Sequence, residues 1–167
     1  MERSFKKEVQ SLRLGDGETF HGEGILAVTK GLLQSGVSYV GGYQGAPISH
    51  LMDVLADAQG ILDELGVHLE TCANEAGAAA MLGASINYPL RGAVTWKATV
   101  GTNVASDALS NLASAGVKGG ALIVVGEDYG EGASIIQERS HAFAMKSQIW
   151  LLDPRPNLTT IVDMVEQ

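Results

Sequence analysis

The chain of 167 residues carries a formal net charge of −8, with 46% hydrophobic and 18% charged residues, which fits one globular domain and leaves too little chain for two. That acidic balance argues against a nucleic-acid face, because affinity for phosphate backbones comes from clustered Lys and Arg. No apolar run is long enough to span a bilayer, residues 1–8 lack the apolar stretch of a signal peptide, and Cys72 as the sole cysteine excludes an internal disulfide or an iron–sulfur cluster held by this segment alone, so a soluble cytoplasmic domain is expected.

Residues 1–21, charged and containing Gly15-Asp16-Gly17, read as an irregular lead-in to a domain over 22–167. Between Gly22 and Gly36 the apolar residues Ile25, Leu26, Val28, Leu32 and Leu33 fall at helical spacing, with Gly36 as the stop. Val37 to Val40 reads as a short buried strand that enters the loop Gly41-Gly-Tyr-Gln-Gly-Ala-Pro47. Ser49 is placed to cap a helix running to about Leu65, Gly66 closes it, and Val67 to Glu70 forms the second strand. A helix rich in Ala and Gly spans 75–88, and Gly92 to Trp96 is the third strand. The loop from Lys97 to Asn103 leads into a helix through Ala115, and the apolar run Gly120 to Gly126 is the plainest strand of all. A polar loop follows from Glu127 to Gly132, then a short helix from Gln137 to Met145. A fifth strand over Ile149 to Leu152 and a helix from Asn157 to Val165 complete the pattern. Strands alternating with helices imply an α/β three-layer sandwich, its parallel sheet covered on both faces.

In such a sheet the strand-to-helix loops gather at one edge, where ligands bind. Loops 41–47, 71–75, 97–103 and 126–132 are polar or glycine-rich. Glu75, in a first helical turn, is favoured there by the helix dipole even as a plain capping residue. It also stands where a carboxylate can hold a ligand's ring nitrogen. Gly45 and Gly101 would let backbone amides approach a flat ring, and Tyr43, Gln44, Asn103 and Asp107 offer further contacts, though each suits an ordinary loop or cap position. Gly22-Glu23-Gly24 lacks the third glycine and preceding strand of a dinucleotide fingerprint. His21, His50, His68 and His141 have no metal-ligand spacing, and no Ser or Cys lies in a nucleophile elbow. The residues describe a ring-binding pocket with one carboxylate, without a phosphate cradle or metal site.

Asn74-Glu75-Ala-Gly-Ala-Ala-Ala-Met-Leu-Gly-Ala84 resembles the pyrimidine-binding domain of thiamine diphosphate enzymes, where a Glu opens an Ala-rich helix. Val100-Gly101 ahead of Asn103-Val-Ala-Ser-Asp107 is similar to that domain's loop after the third strand. Gly42-Tyr-Gln-Gly-Ala-Pro47, Thr95-Trp-Lys97 and the stretch Ala115 to Val125 resemble, more narrowly, the N-terminal part of the indolepyruvate:ferredoxin oxidoreductases, a branch of the 2-oxoacid:ferredoxin oxidoreductases. The likeness covers roughly residues 22 to 167.

That resemblance implies that Glu75 hydrogen-bonds N1′ of the cofactor's aminopyrimidine and so activates the thiazolium, with Tyr43, Gln44, Gly45, Ala46, Val100, Gly101 and Asn103 bordering the ring. It implies oxidative decarboxylation of an aryl pyruvate, with coenzyme A as acyl acceptor and iron–sulfur clusters passing electrons to ferredoxin. In the family the diphosphate and Mg²⁺ belong to a second, pyrophosphate-binding domain. Their motif is missing here, since Gly15-Asp16-Gly17 resembles its opening but has no matching Asn downstream and no strand before it. The 167-residue piece alone is therefore expected to be inactive, and the whole enzyme to be a homo-oligomer. Two departures bear on the substrate: Ala46 stands where the family has Thr, and Lys97 is followed by Ala98-Thr99 instead of directly by His. The residues also admit another thiamine enzyme, such as a 2-oxoacid decarboxylase, or a non-catalytic dimerisation or assembly module built on the Ala-rich helix.

Overall fold

A computed structural model of the chain describes residues 4–129 and 139–167. Four parallel strands, β1 (Tyr39–Gly42), β2 (His68–Thr71), β3 (Arg91–Lys97) and β4 (Gly120–Gly126), form one sheet in the order β2-β1-β3-β4. Helix α1 (Gly24–Gln34) precedes β1, and α2 (Ser49–Asp57) with α3 (Gln59–Leu65) joins β1 to β2. Helices α4 (Glu75–Met81) and α5 (Ala84–Asn87) join β2 to β3, and α6 (Val100–Ala115) joins β3 to β4. Helices α7 (His141–Ser147) and α8 (Leu158–Glu166) follow.

Side chains alternate across a strand, so each strand feeds both layers. Val40, Ala93, Leu122 and Val124 pack with residues of α1, α2, α3 and α8. Tyr39, Val94, Trp96, Ile123 and Val125 pack with α4 and α6 on the other face. The central strand β1 and most of β3 are buried, whereas at the two edges of the sheet β2 is largely exposed and β4 half-buried. The three-layer sandwich with a parallel sheet inferred from the alternation is the observed architecture. Among the described residues no helix is long and apolar enough to cross a membrane.

Several local expectations give way to tertiary packing. The lead-in is partly ordered: a 3-10 helix spans Glu8–Arg13. Phe5, Val9 and Leu12 are buried with Leu26, Val54, Ala58 and Ile61 in a third apolar cluster. Phe5 N donates to Asp57 Oδ2 at 2.6 Å, and the buried Lys30 ammonium donates to the carbonyls of Leu12 and Leu14, which ties the segment to α1 and α2. The helix expected from 49 to 65 is divided at Ala58, and Ser49 is its first residue, with no side-chain cap at the start. The helix expected over 75–88 breaks after Met81, where Leu82 N and Gly83 N turn to the carbonyls three residues back, the tighter 3-10 pattern of a helix end.

Ile149–Leu152 is not a strand. Gln148 closes α7 in the left-handed conformation (φ 55°), and Ile149 N donates to Ala144 O at 3.1 Å. The chain then passes along the outer edge of β4 without pairing to it, leaving Trp150 91% exposed. Four apolar residues specify a strand only when an edge accepts them, and that choice is non-local. The helix expected from Gln137 begins at His141 among the described residues, while Gly130, Glu131, Gly132 and Gln137 lie outside them.

Candidate functional site

The β1 and β3 strands are neighbours, yet the chain leaves β1 for α2 on one face and leaves β3 for α6 on the other. Their carboxyl ends therefore diverge into a crevice, the topological switch point at which open α/β sheets bind ligands. Glu75 approaches this edge on the α4–α6 side. It is the first residue of α4 and only 8% exposed. Asn74 caps the helix, its Oδ1 accepting a hydrogen bond from Gly77 N at 2.8 Å. Opposite lies Gly101, near the start of α6, where an added Cβ would stand 3.0 Å from Glu75 Cγ and 2.6 Å from Trp96 Cδ1. Trp96 is wholly buried and donates from Nε1 to Thr102 Oγ1 at 3.0 Å. A missing side chain at 101 thus lets α6 close against Trp96 and hold the stem of Glu75. Among the described residues no basic group lies within ion-pair distance of Glu75.

The other wall is the loop after β1. Tyr43 N donates to Thr95 O at 3.0 Å, continuing the strand contact by one residue, while the Tyr43 and Gln44 side chains stay exposed. Lys97, the last residue of β3, donates from Nζ to Ala46 O at 2.8 Å. A Cβ on Gly45 would stand 2.9 Å from Lys97 Cβ, so the loop backbone rests on the lysine stem. The Ala46–Pro47 peptide is cis.

Past Lys97, Ala98 N donates to Gly126 O at 2.9 Å, and the buried Thr99 takes φ 62° and ψ −78°. A β-branched residue rarely adopts a positive φ. Val100 and Asn103 sit exposed in the first turn of α6, and Asp107 lies exposed one turn further along. The fold therefore brings Glu75 against Gly101, and Gly45 and Ala46 against Lys97, while Tyr43, Gln44 and Asn103 border the crevice without being fixed by it.

Sequence reasoning passed over four groups here. Trp96 and Thr102 read as core and helix residues, and only their contact reveals them as the floor behind Glu75. Lys97 enters the sequence reading only through the likeness of Thr95-Trp-Lys97 and receives no role of its own there. Asp128, two residues beyond β4, is 2% exposed, and neither carboxylate oxygen has a hydrogen-bond partner among the described residues. Beside it, Glu127 Oε1 accepts from Ser140 N at 2.5 Å. Burial pushes the Glu127 carboxyl up, but hydrogen bonding from Ser140 and Tyr129, with the charge of His141, outweighs it and holds the group below the usual carboxylate range. Burial, helped by the charge of Glu70, pushes the Cys72 thiol up.

Among the described residues no group of three His, Cys, Asp or Glu is arranged to hold a metal. His50 packs edge-on to Phe5, and His68 lies 3.3 Å from Glu70 on the surface. A hollow of about 740 Å³ lies away from the crevice, along the outer edge of β4 and beside Ile149–Leu152. That is where the expected fifth strand is missing.

No protein-family profile matches the chain. Curated proteins do. The indolepyruvate oxidoreductase subunit IorA of Archaeoglobus fulgidus is 29% identical over 145 residues, 86% of this chain. The IorA subunits of Thermococcus kodakarensis and Methanothermobacter thermautotrophicus are 30% and 28% identical over 77% and 86% of it. The chain is a relative of the IorA subunit. It spans only about a fifth of the length of these proteins, 23%, 19% and 22% respectively. In this IorA-type domain the all-parallel sheet agrees with the pyrimidine-type thiamine diphosphate-binding fold. A mostly buried carboxylate with no cation of its own is unfavourable until a donor reaches it, and a protonated ring nitrogen is such a donor.

Proposed function

We propose that this chain is the pyrimidine-binding half-site of a thiamine diphosphate-dependent 2-oxoacid:ferredoxin oxidoreductase that acts on an aryl pyruvate such as indolepyruvate. The observation that carries the reading is Glu75, a buried carboxylate at the head of α4, held by Asn74 and Gly101 beside the sheet's switch point in a relative of IorA. Thiamine diphosphate, when bound, supplies the thiazolium that serves as electron sink for decarboxylation of the 2-oxo acid. Glu75 would hold the proton at N1′ of the aminopyrimidine. Val100, Gly101 and Asn103 on one side, and Tyr43, Gln44, Gly45 and Ala46 on the other, would border the ring and shield it from water.

The diphosphate and Mg²⁺ fall to a pyrophosphate-binding domain, and coenzyme A, the iron–sulfur clusters and ferredoxin to the rest of the enzyme. The half-site is complete only at that interface, so the working enzyme is an oligomer in the cytoplasm. The alternative of a pure assembly module has less support. Ala78 and Ala79, the small residues suited to subunit packing, are already buried against α6 within the chain.

The test is reduction of an artificial electron acceptor by the complete enzyme containing this chain, given indolepyruvate, coenzyme A, thiamine diphosphate and Mg²⁺. Glu75→Gln should lower the rate by about 10²–10⁴-fold, the usual contribution of a positioned proton-transfer group. Full activity in that variant would sink the mechanism. Release of carbon dioxide without acceptor reduction would identify a decarboxylase, and absence of cofactor binding would leave the assembly module.

A further inference from the structure

We propose that Lys97 is the residue that seats the carboxylate of the 2-oxo acid. The inference rests on the preceding reading of the chain as a 2-oxoacid half-site. Such a substrate brings an anion into the crevice, and a carboxylate leaving water needs a cation or several strong donors. Lys97 is a cation at the right edge. It ends β3 at the β1–β3 switch point. Successive residues of a strand point to opposite faces, so Lys97 emerges on the side away from Trp96, whose neighbours include Gly101. Glu75 and Lys97 thus reach one edge of the sheet from either side of the same strand.

The lysine is also held in place without being neutralised. Its Nζ donates to one uncharged acceptor, Ala46 O at 2.8 Å. An ammonium has three donors, and among the described residues no carboxylate lies within ion-pair distance of it. Gly45 lets the loop backbone settle on the lysine stem, and that packing, together with the Ala46 hydrogen bond, fixes where the ammonium sits. The methyl side chain of Ala46 contributes no donor at this wall, which leaves the anion to Lys97. Competing cations are placed elsewhere: Arg91 begins β3 at its opposite end and donates to Ser35 O, and Arg139 lies over the Tyr129 ring at 5.3 Å.

The experiment compares the complete enzyme with its Lys97→Met and Lys97→Arg variants. KM for indolepyruvate should rise about 10–100-fold in Lys97→Met, the loss expected for a hydrogen bond to a charged group, and should largely recover in Lys97→Arg. Thiamine diphosphate affinity should be unchanged in both. Calorimetric titration with unreactive indole-3-propionate and its amide separates charge recognition from a folding defect. The parent should prefer the carboxylate, and Lys97→Met should bind the two alike. Survival of the preference in Lys97→Met, equal loss of both ligands, or weakened cofactor binding in place of weakened substrate binding would each overturn the proposal. If the parent turns over indolepyruvate and Lys97→Met keeps its KM, the proposal alone fails. If the parent never turns over a 2-oxo acid, the functional reading fails and takes the proposal with it.

Discussion

Gly101 offers the sharpest stability test of the site, because two opposing effects can be weighed. Replacing a helical Gly by Ala normally helps, by at most about 1 kcal/mol. At Gly101, however, the new Cβ would lie 2.6 Å from Trp96 Cδ1 and 3.0 Å from Glu75 Cγ. The first distance is about 0.8 Å short of ordinary contact. The indole cannot swing aside freely, being fully buried and bonded to Thr102. Overpacking of this kind typically costs about 1–3 kcal/mol, so Gly101→Ala should be destabilised by up to about 2 kcal/mol net. Gly60 supplies the control: it lies in α3, is exposed, and has nothing within 4 Å of an added Cβ. Gly60→Ala should gain about 0.5–1 kcal/mol. Urea unfolding of the two variants beside the parent reads both numbers. A Gly101→Ala protein as stable as Gly60→Ala would refute the close packing of α6 on Trp96 and Glu75.

Two further outcomes follow from single contacts. Asn74→Ala removes the cap of α4 and should cost about 1 kcal/mol in urea unfolding, with Asn74→Asp close to the parent. The Arg13 guanidinium, by its paired hydrogen bonds at 2.6 and 2.7 Å, holds the Glu64 carboxyl below the usual range. A carboxyl whose folded pKa lies below its unfolded value stabilises the fold above the unfolded pKa and loses that contribution as pH falls through the folded one. Stability should therefore drop on acidification below the ordinary carboxylate range. Arg13→Ala should flatten that drop, and an unchanged pH profile would show that the exposed pair contributes nothing.

Much of the fold was legible because it rests on local pattern. The run Gly120 to Gly126 is apolar at every position between its end glycines, and it forms β4 with those bounds, half-buried at the sheet's edge. The helical spacing of Ile25, Leu26, Val28, Leu32 and Leu33 marked α1, and the Asn74-Glu75 start of an Ala-rich stretch marked where α4 begins. Position alone also put Glu75 at the carboxyl edge, since every strand-to-helix loop of a parallel sheet ends there.

What the sequence determined by itself was the alternation of elements, the parallel sheet and the carboxylate at its edge. These follow from period, capping and strand direction, which are properties of neighbouring residues. The tertiary structure alone decided which residues meet across the sheet: Gly101 with Trp96 and Glu75, Lys97 with Gly45 and Ala46, Phe5 with Val54 and Ile61. It also decided that Ile149–Leu152 passes β4 without pairing. Most of these contacts join positions far apart in the chain, and no local preference encodes them. They are settled only when strand order and helix packing determine which side chains share the same space.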